Sequence, residues 1–229
     1  METEKITQEV EEKPRKQPKF FTKVQAFLLI FLSFAVTSGA GYALGHFYFW
    51  NDIDMKRVNE QLAYYQEEVR KDPANLENRI ILGYTHYLKG QNEEAIKQFD
   101  YVIDQDKNYY DAYYNMGLVF LDEERYNEAL LMFDKTVNIA PKDFKGHVQM
   151  GITYRNLGMF EEAMEALEVA NQLNPANSDI IYQIGLVAED QGEIKIAMDI
   201  FKDALQYDPL FEEAATALER VTEKDTEGE

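Results

Sequence analysis

The chain has 229 residues, enough for one or two domains, and no cysteine, which excludes disulfides, thiol chemistry and a cysteine-ligated metal. Its 42 acidic residues against 23 basic ones leave a net charge of −19. Such a surface is repelled by phosphate backbones, which argues against nucleic-acid binding, and it favours solubility and basic partners.

The imbalance is uneven along the chain. Met1–Trp50 carries six Lys/Arg and five Asp/Glu, whereas Asn51–Glu229 carries seventeen against thirty-seven. Residues 1–23 are polar and charged with two prolines, a composition expected to stay disordered. Val24–Trp50 then runs 27 residues without Asp, Glu, Lys or Arg, and about 20 apolar residues suffice for a helix to cross a bilayer. Lys13, Arg15, Lys16, Lys19 and Lys23 precede this stretch and Asp52 and Asp54 follow it. The positive-inside rule therefore places the N-terminus in the cytoplasm and residues after 50 outside. Phe20 and Phe21 at one end, with Phe47, Tyr48, Phe49 and Trp50 at the other, suit the interfacial aromatic belts. The alternative is a cleavable signal peptide, with Ser38–Ala40 as the small-residue site. Cleavage there would leave an apolar end on a soluble domain, so the expectation is an uncleaved transmembrane helix over 24–50. Gly41 and Gly45 form a GxxxG that would let two such helices approach closely, although small residues are common in membrane helices generally.

Beyond the span, Val58, Leu62, Tyr65 and Val69 predict an amphipathic helix over 54–71. With Met55 the same residues also fit two heptads of a coiled-coil seam.

A strict period follows. Gly83, Gly117, Gly151 and Gly185 recur every 34 residues, as do Ala95, Ala129, Ala163 and Ala197. Phe99, Phe133, Leu167 and Phe201 keep the same spacing, and Pro141, Pro175 and Pro209 close three of the four units. A fixed period of this length marks a repeat architecture.

These residues resemble the tetratricopeptide repeat family. The resemblance implies an all-α, right-handed superhelical solenoid of about four helix hairpins with capping helices, here preceded by a single transmembrane helix. The units would be 76–109, 110–143, 144–177 and 178–211. Glycine and alanine would meet where the two helices of a unit cross, Gly117 facing Ala129. His86, Ala188, Leu167 and Lys107 depart from the usual residues at their positions. Phe211, Ala214, Ala215, Leu218 and Val221 share one helical face, so residues 212–229 are expected to hold a C-terminal cap helix and a disordered tail. Residues 51–75 fall in the register of a second helix and are read as a half-repeat capping the other end, although Gln61 replaces the crossing alanine.

The resemblance also implies that the second, fifth, ninth, twelfth and thirteenth positions of each unit face a concave groove. The candidate partner-binding residues are Ile80, Tyr84, Tyr87, Asp111, Tyr114, Leu118, Leu121, Lys145, Val148, Ile152, Arg155, Tyr182 and Leu186, with Glu77, Leu88, Asp122, Asn156, Asp179, Glu189 and Asp190 beside them. So apolar a strip suits an amphipathic helix or extended peptide with basic flanks. Only Asn115 and Lys145 match the family's five-residue clamp for chaperone C-termini, which disfavours that ligand.

No phosphate-binding loop, HExxH, GxSxG or CxxC occurs. His46, His86 and His147 are scattered, the latter two at core-like repeat positions. Residues 104–108 imitate the start of a calcium loop, but Tyr109 stands where its glycine belongs. The chain is therefore expected to be neither an enzyme nor a cofactor protein. The expectation is a bacterial single-pass scaffold, its repeats on the extracytoplasmic side, that binds another protein or peptide and assembles or positions an envelope complex. A self-associating homodimer built through the anchor and the juxtamembrane helix, or a non-catalytic accessory subunit of a membrane enzyme complex, are the alternatives.

Overall fold

The computed structural model describes residues 51–227, and every element among them is an α-helix. They are α1 (Asn51–Lys71), α2 (Leu76–Leu88), α3 (Asn92–Gln105), α4 (Tyr110–Asp122), α5 (Tyr126–Ile139), α6 (Phe144–Asn156), α7 (Phe160–Leu173), α8 (Ser178–Asp190), α9 (Ile194–Tyr207) and α10 (Glu212–Glu227). The expected span over 24–50, including Gly41 and Gly45, lies outside the described residues. Among the described residues no helix is long and apolar enough to cross a membrane.

From α2 onward the helices pair as hairpins, α2 with α3, α4 with α5, α6 with α7 and α8 with α9, and each pair stacks on the next. The first helices of successive pairs also touch, α2 to α4, α4 to α6 and α6 to α8. A 34-residue sequence period has become a one-dimensional stack of near-identical units.

Local signals set the helix ends. Asn75, Asp143 and Asn177 cap α2, α6 and α8, their side-chain oxygens accepting from the backbone N–H of Asn78, Lys145 and Ile180 at 2.9, 2.9 and 3.1 Å. Each first helix closes with a left-handed residue at the fifteenth position of its unit. In three units it is glycine, Gly90, Gly158 and Gly192, and in the second it is Glu124 at φ 58°. The second helices end before Pro141, Pro175 and Pro209, where Ala140, Asn174 and Asp208 leave the helical region at φ −131°, −138° and −131°. Asp106 adopts the same conformation before Lys107, so the first unit stops at this point without a proline.

The recurrent glycines lie against the large side chain four residues after each recurrent alanine. A Cβ added to Gly117 would lie 2.4 Å from Cε1 of Phe133, and on Gly83 or Gly185 it would meet Phe99 or Phe201 at 2.6 and 2.5 Å. The glycine therefore makes room for an aromatic ring placed against its backbone. The alanine, fully buried in every unit, lets the second helix come near enough to deliver that ring. In the third unit Leu167 takes the ring's place, 2.5 Å from the added Cβ, and Ala163 approaches through its carbonyl oxygen at 3.2 Å. Thr85, Thr136 and Thr153 are also fully buried, each hydroxyl donating to the carbonyl one turn earlier. No buried polar group is stranded there.

The first end of the stack differs from expectation. α1 has no closely packed partner among the described helices, and Gln61, in the register of the crossing alanine, is exposed while Leu62 is buried. A second helix is normally held by its own first helix, and residues in that register fall before 51. At the other end α10 fills the expected cap region 212–229 as far as Glu227, the last described residue. Its buried face is Ala214, Ala217 and Val221 with Leu218 beside them, and Lys224 ties its last turns to Glu189.

Candidate functional site

The face formed by α2, α4, α6 and α8 carries the candidate groove residues, and the structure sorts them into three groups. Ile80 is buried in the core cluster around Phe99 and Phe133, so it is not a groove residue. A branched aliphatic side chain at that place turns inward. Tyr114, its counterpart in the next unit, is longer and stays half-exposed, stacked on Tyr110 at 5.8 Å and tilted against Phe133 at 6.2 Å. Leu118 and Leu121 lean on the same core from the groove side.

Three of the fourth unit's positions are already packed against other elements. Tyr182 is flanked by Phe201 and Phe211 at 5.8 and 5.2 Å, and Leu186 packs into the cluster that includes Ala217 and Val221 of α10. Glu189 is buried, receiving Nε and Nη2 of Arg220 at 2.8 and 2.6 Å and Nζ of Lys224 at 2.7 Å. The bidentate bond from Arg220 above all, against the cost of burial, holds its pKa down at about 2. The cap helix thus occupies the end of the groove.

What remains open is a cavity of about 370 Å³ between α4, α6 and α8. Tyr114, Val148 and Ile152 supply apolar wall, Gln149 and Gln183 amide groups, and Lys145 and Asp179 opposite charges. Gln183 Oε1 is buried with no hydrogen-bond partner, an arrangement that costs about 1–3 kcal/mol when left unmet. Tyr84 is exposed outside the cavity lining, near Tyr87, and Asp111 is exposed.

A third group ties the first helices together along one edge. The Tyr87 hydroxyl donates to Asp122, and Arg155 approaches Asp190 at 3.7 Å. Burial first, then the neighbouring carboxylates Asp122 and Asp143, push the phenols of Tyr87 and Tyr110 well above the ordinary tyrosine value. Burial likewise raises that of Tyr114. These hydroxyls stay protonated at physiological pH; that of Tyr87 donates to Asp122, while that of Tyr110 is buried without a hydrogen-bond partner among the described residues.

A second, smaller cavity of about 290 Å³ lies among α5, α6 and α7, where His147 is half-buried near Asp134, Glu162 and Glu165. His147 is therefore not a core residue, whereas His86 is buried and bonded to Gln91 at 2.8 Å. Among the described residues no group of His, Asp and Glu could hold a metal ion.

Helical hairpins stacked at one period have the fold of a tetratricopeptide-type repeat protein. Residues 63–222 match the family described as the N-terminal domain of the type VII (ESX-1) secretion-system protein EccA1, and the chain belongs to that family. Solved structures agree on the fold. A MamA fragment, residues 41 to the end, from Desulfovibrio magneticus RS-1 is 24% identical with a TM-score of 0.61, covering 69% of this chain and 89% of that one. A thermophilic TPR protein of Thermus thermophilus is 16% identical with a TM-score of 0.64, covering 75% and 94%. YrrB, a TPR protein with an unusual peptide-binding site, is 21% identical with a TM-score of 0.58, covering 72% and 84%. No curated protein matches.

Proposed function

We propose that this protein is a non-catalytic scaffold that holds a segment of another protein in its concave groove, tethered beside a bacterial membrane by residues 24–50. Its work would be to assemble or position an envelope complex. The observation that carries the reading is the open cavity between α4, α6 and α8, lined by apolar, amide and charged side chains alike, in a body otherwise strongly acidic. A cavity of this kind on a solvated surface is a binding site in waiting. Membership of a secretion-system family and likeness to a peptide-binding repeat protein support a protein ligand. Support for the tether is the sequence alone, a charge-free stretch of 27 residues flanked as the positive-inside rule requires.

The test is co-purification from membranes solubilised in mild detergent, comparing the wild-type chain with Tyr84→Glu and Ile152→Glu. Ile152 lines the cavity, whereas Tyr114 also supports Phe133 and would confuse binding with folding. Partners lost from both variants, with unchanged melting, support the groove. Partners retained by both would remove it.

A further inference from the structure

We infer that the cavity among α5, α6 and α7 receives an arginine side chain from a basic segment of another protein. It is bounded by two second helices, α5 and α7, as well as by α6, and it stands apart from the groove proposed above.

The first unit shows what chemistry fills this place in the repeat. There Arg79 sets its guanidinium over the Tyr101 ring at 3.5 Å, donating to Oε1 of Gln98 at 2.9 Å and to the Pro73 carbonyl at 2.8 Å. In the third unit the positions of Arg79, Gln98 and Tyr101 are held by His147, Ala166 and Val169. Each is smaller than its counterpart, and all three line the cavity of about 290 Å³.

Charge changes together with shape. In the first unit Lys97 pairs with Glu94 at 3.8 Å, whereas the third unit has Glu165 and Glu162 at the same two positions. Both line the cavity, with Asp134 of α5 across from them. Arg79 and Lys97 are thus replaced by a histidine and a glutamate. The other second helices, α3, α5 and α9, each carry at least one lysine, but α7 has four glutamates and no Lys or Arg. Carboxylates a turn apart on one helix repel each other. Among the described residues no ion pair relieves Asp134, Glu162 or Glu165.

The lining suits a guanidinium better than an ammonium. Ala166 is buried and Val137, Met150 and Val169 are half-buried, while the three carboxylates are exposed. A guanidinium is weakly hydrated and presents a planar fork of donors, so it tolerates apolar walls and still meets several carboxylates. An ammonium gives up more hydration for the same contacts. The volume lies at the lower limit of small-molecule sites, about 300–1,000 Å³, and fits one long side chain. Leu131, one turn before Asp134 on α5, is 61% exposed. It offers a contact to an apolar neighbour of the arginine, which favours a protein segment over a free guanidino compound.

The test is methyl NMR of the full chain in detergent, titrated with the N-acetyl amides of arginine, lysine and citrulline. Citrulline keeps the shape of arginine without its charge. Expected are saturable shifts of the Val137, Met150 and Val169 methyls, with an affinity of about millimolar for arginine. Lysine should bind about fivefold more weakly and citrulline about tenfold or more. A peptide with arginine between leucine and lysine should bind about tenfold more tightly than the single residue. Glu162→Gln/Glu165→Gln should weaken that peptide about tenfold. Ala166→Met, which installs the residue that the second unit has as Met132, should abolish the shifts by filling the cavity. Ile152→Glu should leave them unchanged, so this site and the groove succeed or fail separately. The inference is overturned by an absence of saturable shifts, by lysine or citrulline binding as tightly as arginine, or by shifts that survive Ala166→Met. A peptide bound no more tightly than the single residue overturns the protein partner in favour of a free guanidino compound. If the glutamine variant folds poorly, the arginine and citrulline titrations of the wild-type chain still decide.

Discussion

Glu189 at the end of α8 and Arg220 on α10 form a bidentate pair at 2.8 and 2.6 Å, with the carboxylate buried and the guanidinium half-exposed. Lys224 completes the site, and its spacing from Glu189, 35 residues, is also that of Tyr87 from Asp122. Arg155 and Asp190 stand at the same two repeat positions. One edge of the stack is thus stitched by links from the twelfth position of a unit to the thirteenth of the next, and α10 extends the series as though it opened a fifth unit. The second-to-third step has Leu121 and Asn156 instead, a pair that cannot form an ionic link.

This pair should make the protein acid-sensitive. Glu189 has a folded pKa of about 2 against an ordinary value of 4.5. A depressed carboxylate stabilises the fold fully above the unfolded value and loses that contribution as pH falls from about 4.5 toward 2. Allowing for the half-exposed cations, the loss is about 2 kcal/mol. Melting followed by circular dichroism should show the wild-type chain losing more stability than Glu189→Gln between pH 5 and pH 2.5. Parallel curves would refute the assignment. Arg220→Met at neutral pH should cost about 1–2 kcal/mol, because Lys224 alone then faces the buried charge.

Gly117 lies against the Phe133 ring, so even alanine should be felt there. The added methyl would sit 2.4 Å from Cε1, and the overlap should outweigh alanine's better helix propensity, lowering stability by about 1–3 kcal/mol. Combining Gly117→Ala with Phe133→Leu should cost less than the two separately, since the smaller side chain vacates the contested space. Strict additivity in urea melts would mean that the two residues do not share a contact.

The repeat is legible because each unit solves one packing problem with the same few residues, so Gly83, Gly117, Gly151 and Gly185 announce it at a fixed period. What the period cannot reveal is what breaks it. Glu189 occupies a groove position by number, yet its cations lie 31 and 35 residues on, in a helix without the marker glycine. Tyr182 has an available place by register, but Phe211, from the connection to that same helix, lies against it. The amide pair Gln149 and Gln183 stands at the sixth place of its units, outside the positions that the resemblance assigns to the groove. Its signal is nonetheless in the 34-residue alignment of Asn115, Gln149 and Gln183.

The tether can be tested apart from the groove. The full chain should remain in the membrane pellet after alkaline carbonate washing, while a chain starting at residue 51 should move to the supernatant. Protease added to intact spheroplasts should degrade the repeats if they face outward. A full chain found in the supernatant, or a mature N-terminus after Ala40, would count against an uncleaved span.

Glu124 offers a stability gain. It holds φ 58° where the other three units use glycine, and its N–H still donates to the Leu121 carbonyl at 3.0 Å, as Gly90 donates to Tyr87 at 2.8 Å. The turn is thus the same glycine-type helix stop, built with a residue whose Cβ disfavours it by about 1–2 kcal/mol. Glycine brings a larger entropy loss on folding of about 0.5–1 kcal/mol, so Glu124→Gly should stabilise by up to about 1 kcal/mol. The reverse change, Gly158→Ala, should destabilise although nothing lies within 4 Å of the added methyl, because the cost is in the backbone and not in the space. If Glu124→Gly melted below the wild-type chain, its side chain would have to be contributing more than the strained turn takes away.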